Sequence, residues 1–241
     1  MSDGFRIASL TRIEARRVPF DWQWARDEAA YISGNWARRV EGRTGIFDGR
    51  VLLACGWRHQ DGTCKVDLFE TSYSRFIAYR DAGSPDPAVR NTFAAIVPRS
   101  TDGAYFLGIM GAQTANAGQA YFPCGTPDLD DIVGSDLVDL AGSAERELTE
   151  ETGLAVPAGS AQEWVMLEGD RQLAFLRPIV FGEESGSLLA RMERHRAAEA
   201  NPELAGFLIV RDQVDIDPKR MPPFVRAYLG RSFAGAPPDQ G

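Results

Sequence analysis

The sequence predicts a mixed α/β sandwich preceded by a smaller α+β domain. Three observations lead there. Short apolar runs gathered around Asp-Gly turns read as antiparallel strands. One later segment carries apolar residues at spacings of three and four, the mark of a helix with a single buried stripe. Strands and helices then alternate, and such elements pack in layers around a mixed sheet. The 241 residues, 44% hydrophobic and 25% charged, hold enough apolar material for a core and exclude disorder throughout.

The region from Trp22 to Trp36 has a helical texture. It precedes two strand-like runs, Arg50 to Trp57 and Cys64 to Glu70, which flank Gln60-Asp61-Gly62 as a hairpin. Glycine and two prolines between Asp81 and Pro87 punctuate the chain, dividing it into an α+β domain over 1–88 and a second domain over 89–233. The tail, 234–241, reads as disordered coil. In the second domain Phe93 to Pro98 and Tyr105 to Met110 flank Thr101-Asp102-Gly103 as another hairpin. Leu137, Leu140, Ala141, Ala144 and Leu148 form the helical stripe, with Asp136 placed to cap the start and Gly153 to stop it. Strands return at Trp164 to Leu167 and Leu173 to Phe181, a polar helix at Leu188 to Ala200, and a last strand at Phe207 to Val210.

The formal net charge of −8 argues against duplex nucleic acid and against an anionic membrane surface as partners. No run approaches the roughly 18 apolar residues that span a bilayer, and the opening Met1 to Arg6 lacks the basic and apolar regions of a signal peptide, so a cytoplasmic chain is expected. Cys55, Cys64 and Cys124 are too scattered for a disulfide framework, and His59 and His195 stand alone, which argues against a Cys/His zinc site.

Chemistry concentrates in Arg146-Glu147-Leu148-Thr149-Glu150-Glu151-Thr152-Gly153-Leu154. On a helix, Glu147, Glu150 and Glu151 share one face while Leu148 joins the buried stripe. Like charges so placed cost about 0.2–0.5 kcal/mol per pair. Arg146 can pair with Glu150 one turn on, and a divalent cation such as Mg²⁺ would satisfy the remaining carboxylates. The alternative is a solvated acidic helix end.

This stretch resembles the second half of the Nudix box, whose pattern is Gly, five residues, Glu, seven residues, Arg-Glu-aliphatic-x-Glu-Glu-x-Gly-aliphatic. Every fixed position from Arg146 to Leu154 matches, and Gly118 to Gly125 looks like the strand and turn leading into the box, with Cys124 where a second glycine is common. Two departures stand out. Gly125 lies 21 residues before Arg146, an apparent insertion of seven, and the first box glutamate is replaced by Val138, beside Asp139. The acidic insertion, Asp128, Asp130, Asp131 and Asp136, does not fit a calcium loop, because Ile132 and Val133 fall where a ligand and a glycine are required; it reads as a solvated loop or as a further metal or substrate contact.

The resemblance implies a Nudix-type mixed-sheet α/β/α sandwich and a Mg²⁺- or Mn²⁺-dependent hydrolase cleaving the diphosphate of a nucleoside diphosphate derivative, such as the nucleotide sugars UDP-glucose or ADP-ribose. By transfer from the motif, Glu147, Glu150, Glu151 and the Gly125 carbonyl are the metal ligands, Glu150 doubling as a candidate base and Arg146 holding the carboxylates. Glu203, ahead of the last strand, is the candidate base from outside the box, with Glu199 and Glu168 as alternatives. A non-catalytic nucleotide-binding domain is the competing reading. In the first domain, Asn35-Trp36 and Ile46 to Val51 look distantly like the leading domain of larger members acting on nucleotide sugars, and homodimerisation through this domain is another use of the extra length. Trp22, Trp24, Trp36 and Trp57 can fill a core or stack on a base.

Overall fold

The protein is described from a computed structural model covering residues 4–42, 47–169 and 171–235. The longest apolar runs, Asn91–Arg99 (β5) and Gln172–Val180 (β11), lie parallel and adjacent at the centre of a seven-stranded sheet, where both faces are covered. Outward from β11 come Trp164–Glu168 (β10) and Arg6–Leu10 (β1). On the other side lie Tyr105–Met110 (β6) and Leu204–Val210 (β12), with the short Ala120–Tyr121 (β7) also on β6. The turn at Thr101 to Gly103 joins β5 to β6 as expected, yet these strands pair only at Arg99 and Tyr105 before diverging.

Alternation along the central strands assigns the two faces. Ala94, Ile96, Leu173 and Phe175 pack beneath the helices Leu140–Thr152 (α4) and Ser185–Ala198 (α5), against Ala144, Leu148, Leu188 and Met192. Phe93, Ala95, Ala174 and Leu176 pack on the opposite side against Phe224, Val225 and Tyr228 of the helix Pro223–Phe233 (α6). Each of the larger aliphatic and phenylalanine side chains so buried contributes about 1.5–3 kcal/mol. Helix α6 went unread in the sequence, although Pro223 at its first turn followed by Phe224, Val225, Tyr228 and Leu229 is a helix start with one apolar face.

A second sheet has the order Arg50–Gln60 (β3), Thr63–Ser72 (β4), Arg12–Arg17 (β2), Leu137–Val138 (β9) and Ile132–Val133 (β8). Its hairpin turns at Asp61 and Gly62, both in the left-handed region, as the Asp-Gly pair demands. One face, through Leu52, Val66 and Leu68, joins the core under α4; the other, through Val51, Leu53 and Phe69, carries the helices Gln23–Asp27 (α1), Ala29–Val40 (α2) and Tyr73–Asp81 (α3). Trp22 is 5% exposed there, ringed by Trp24, Phe69 and Tyr79 at 5.1–5.3 Å between ring centroids. Trp57 lies under the Arg90 guanidinium and donates to Glu168 at 2.9 Å. These indoles serve the core.

Sheet membership crosses the break at Asp81 to Pro87. Strand β1 from the N-terminus edges the large sheet, while β8 and β9 from the acidic insertion extend the small one through Ala15 opposite Val138 and Arg16 opposite Leu137. The start of α4 moves accordingly. Leu137 is 61% exposed in β9 rather than in the helical stripe, and the cap is Asp139, not Asp136: its carboxylate accepts from the Gly142 N–H at 2.9 Å. Ile46 and residues 236–241 lie outside the described residues. Among the described residues, no helix is long and apolar enough to cross a membrane.

Candidate functional site

The site grows from the last two turns of α4. Leu148 is fully buried under the central sheet, so Glu147 and Glu151, flanking it on the helix, are pulled toward the protein while Glu150 faces outward with its side chain 63% exposed. Gly153 ends the helix at φ +69°, its N–H bonding the Thr149 carbonyl. A Cβ at Gly153 would meet the His195 ring at 2.6 Å, and His195 Nε2 lies 2.9 Å from the Glu150 carbonyl and 3.1 Å from Glu199. Through His195, α5 fixes the end of α4 that bears the acidic residues.

Gly125 closes one side. Phe122 is fully buried and meets Tyr228 edge-on, anchoring the segment after β7, so that Cys124 and Gly125 pass over the α4 face. A Cβ at Gly125 would lie 2.3 Å from Glu147 Oε1, so the carboxylate occupies the space a side chain would take. Burial pushes the Glu147 carboxyl up to about 7; Arg146 opposes the shift, and Glu150, Glu203 and Asp131 add to it. Glu151, 8% exposed, is raised well above the carboxylate range by burial and then by Glu147, Glu203, Glu150 and Glu199. The half-buried Cys124 thiol is pushed well up by burial beside Glu151, Glu147 and Glu203, which keeps it protonated.

Glu203 joins this group from the segment leading into β12. It directly precedes β12, its carbonyl accepts from the Gly111 N–H at 2.9 Å, and the Gln113 side-chain amide donates to the Pro202 carbonyl at 2.8 Å. The residue keeps solvent access, yet burial raises its carboxyl, with Glu150 and Glu199 adding to the shift. Glu199 is drawn to His195, whereas Glu168 is engaged on the β1–β10 edge by Arg6 at 2.7 Å and by Trp57.

Arg146 takes a partner the sequence did not disclose. Its closest contact is Asp131 at 2.5 Å; Glu147 and Glu150 stand off at 3.6 and 3.9 Å. Asp131 is no solvated loop residue. Its side chain is 1% exposed, closes a capping box with Asp128 around the turn Leu129–Asp131, and accepts from Ser143 Oγ at 3.0 Å. The Asp-x-x-Asp spacing of 128 and 131 carried a capping signal, but the contact with Arg146 depends on how β8 and β9 fold back. Val138, in place of the box glutamate, is buried in the shared core, and Asp139 is spent on the helix cap.

Beside the carboxylates opens a cavity of about 1030 Å³. Arg50, Val51 and Tyr73 form its N-terminal wall, Thr126, Asp128 and Asp130 its insertion wall, and Gln113 and Glu203 its inner side. The four tryptophans are not among its lining residues.

The carboxylate donors suit a hard divalent cation, and the like charges of Glu147 and Glu151, with Glu203 nearby, face a single guanidinium already committed to Asp131. Among the described residues, no three Asp, Glu, His or Cys side chains converge closely enough to hold an ion as they stand. The charge excess and the glycine cradle fit a metal; the closed ligand shell requires side-chain adjustment.

No family model matches the chain, and no curated protein does. Among solved structures, the chain is similar to a MutT protein from Methanosarcina mazei Go1, at 17% identity and a TM-score of 0.35 over 59% of this chain and 93% of that one. It is also similar to a pyrophosphohydrolase from Bacillus subtilis, at 14% identity and a TM-score of 0.28 over 49% of this chain and 61% of that one.

Proposed function

We propose that the chain is a Nudix-type hydrolase that cleaves the diphosphate linkage of a nucleoside diphosphate derivative, a nucleotide sugar by preference, with Mg²⁺ or Mn²⁺. The observation that carries this reading is the under-compensated acidic face of α4: Glu147 is held against the Gly125 backbone and raised by burial, and Glu151 is held inward and raised by burial and by Glu147. A carboxylate pair kept at that cost in a water-poor wall has a use when a cation is bound, and no structural need for it is evident.

Glu147 and Glu151, with Glu150 at the rim and the Gly125 carbonyl, would hold the metal. A divalent cation there neutralises charge between the carboxylates and the diphosphate and polarises the phosphoryl oxygens. The rest falls to the chain. Arg146, clamped by Asp131, steadies Glu147 and Glu150 at its remaining nitrogens. Glu203, raised above an ordinary carboxylate, is the base for the proton of the attacking water. His195 and the Gly153 cap hold the helix end in place while this occurs.

Product analysis with a nucleotide sugar tests the reading. A nucleoside monophosphate and a sugar phosphate should form with Mg²⁺ or Mn²⁺ and not with EDTA. Tight binding without turnover under all metals would favour the non-catalytic nucleotide-binding alternative.

A further inference from the structure

The cavity is too large for the diphosphate alone. At about 1030 Å³ it reaches the upper end of drug-sized ligand pockets, and the site described above uses only its inner side at Glu203. Its chemistry is uneven. Among the described lining residues, Asp128, Asp130 and Glu203 face one cation, Arg50, whose Nε already donates to Glu70 at 2.8 Å. Asp128 is partly engaged in its capping box, but Asp130 is exposed. Tyr73 also lines the cavity, half-buried and held edge-on against Trp36 and Phe76. Such a wall accepts hydrogen bonds from hydroxyls, offers an aromatic surface to a ring, and repels a further negative charge.

We propose that this cavity seats the neutral, hydroxyl-bearing moiety joined to the diphosphate, with Tyr73 packing against it and Asp130 setting a preference against substrates that carry an additional anionic group there. The assignment rests on the diphosphate reading above. It gives the N-terminal layer a role in specificity, because Tyr73 opens α3 and Arg50 opens β3. Nucleoside and linked sugar share the required chemistry, and free ligands tell them apart.

The test is calorimetric titration of the full chain with Mg²⁺ and two methylene-bridged analogues, a nucleoside diphosphate hexose and its uronic acid, which differ by one carboxylate. The neutral analogue should bind roughly five- to tenfold more tightly. Asp130→Lys should narrow or reverse that ratio, Asp130→Asn should narrow it partly, and Tyr73→Ala should weaken both analogues while leaving the ratio. Competition by free nucleoside, or by free hexose, identifies which moiety the cavity takes. Equal affinities in the wild type with free hexose competing, a ratio unmoved by Asp130→Lys, competition by neither free nucleoside nor free hexose, or failure of both analogues to bind overturns the proposal. Discrimination in binding without hydrolysis of the natural diphosphate leaves the cavity assignment standing and removes the hydrolase reading; hydrolysis without discrimination does the reverse.

Discussion

Asp131 and Arg146 are 15 residues apart in the chain and 2.5 Å apart in the fold. The carboxylate is buried and the guanidinium half-exposed, so the pair fastens the acidic insertion to the first turns of the acidic face. Arg146 is thereby turned away from full neutralisation of Glu147 and Glu150, and the face keeps its negative charge.

Asp131→Asn removes that charge from a buried position while leaving Arg146, Ser143 and the Asp128 N–H to be satisfied. Stability should fall by about 1–3 kcal/mol in denaturant melts. Because Arg146 loses its anchor, activation by Mg²⁺ should weaken by about 10- to 100-fold in concentration, as for other residues that support metal ligands. An unchanged Mg²⁺ requirement would mean that the pair only staples the insertion.

Glu147→Gln and Glu151→Gln keep size and helix propensity and remove a charge each. Turnover should fall by orders of magnitude with the far-ultraviolet circular dichroism unchanged, because neither residue belongs to the core beneath α4. Near-normal turnover of either variant at saturating Mg²⁺ would exclude it as a ligand.

The same residues set a pH dependence. Glu147 is raised from 4.5 to about 7 by burial, so between those values the folded chain holds a proton that the unfolded chain has lost. Stability from this group is therefore highest below about 4.5 and declines as pH rises to about 7, the reverse of a salt-bridged carboxylate. Groups such as Asp102, held low by its bonds from Ser100, Ser185 and Arg211, oppose this in the total. The difference between wild type and Glu147→Gln isolates it. In metal-free buffer the melting temperature of the wild type should drop relative to the variant as pH rises from 5 to 8, in line with the raised carboxyl, and Mg²⁺ at pH 8 should recover the loss. A difference that grows in the opposite direction would place Glu147 in a cation-rich setting.

Gly125→Ala places a Cβ 2.3 Å from Glu147 Oε1, so the carboxylate must swing away. Because Gly125 has no positive φ, backbone strain is not at issue and the fold should persist. The Michaelis constant for Mg²⁺-bound substrate should rise and kcat fall, measured by steady-state kinetics; wild-type kinetics would show that Glu147 is free to relocate.

Much of this was legible in the residues. The Asp61-Gly62 turn, the stripe of Leu140, Ala144 and Leu148, and the Gly153 stop each rest on local conformational preference, and each is found in place. What escaped depends on contacts distant in sequence. Leu137 belongs to a strand because β2 offers it a partner, and that cannot be read from a helical spacing which it also satisfies. Asp131 looks like one more solvated acid until the insertion folds back on Arg146, and Tyr73 becomes a cavity wall only because the start of α3 and the insertion line the same cavity. Glu203 is a candidate in the sequence by its position ahead of the last strand alone; the carbonyl bond to Gly111 that holds its backbone has no sequence signature.

The central claim is that metal and diphosphate meet between repelling partners, so each should bind weakly alone. By linkage, Mg²⁺ must tighten diphosphate binding by the factor with which diphosphate tightens Mg²⁺ binding. The direct measurement is calorimetry with a methylene-bridged nucleoside diphosphate sugar, first in EDTA and then in millimolar Mg²⁺. Binding should be weak or undetectable in EDTA and at least about tenfold tighter with Mg²⁺, a gain of about 1.4 kcal/mol or more. Equal affinity in the two buffers would contradict a metal bridge at Glu147 and Glu151.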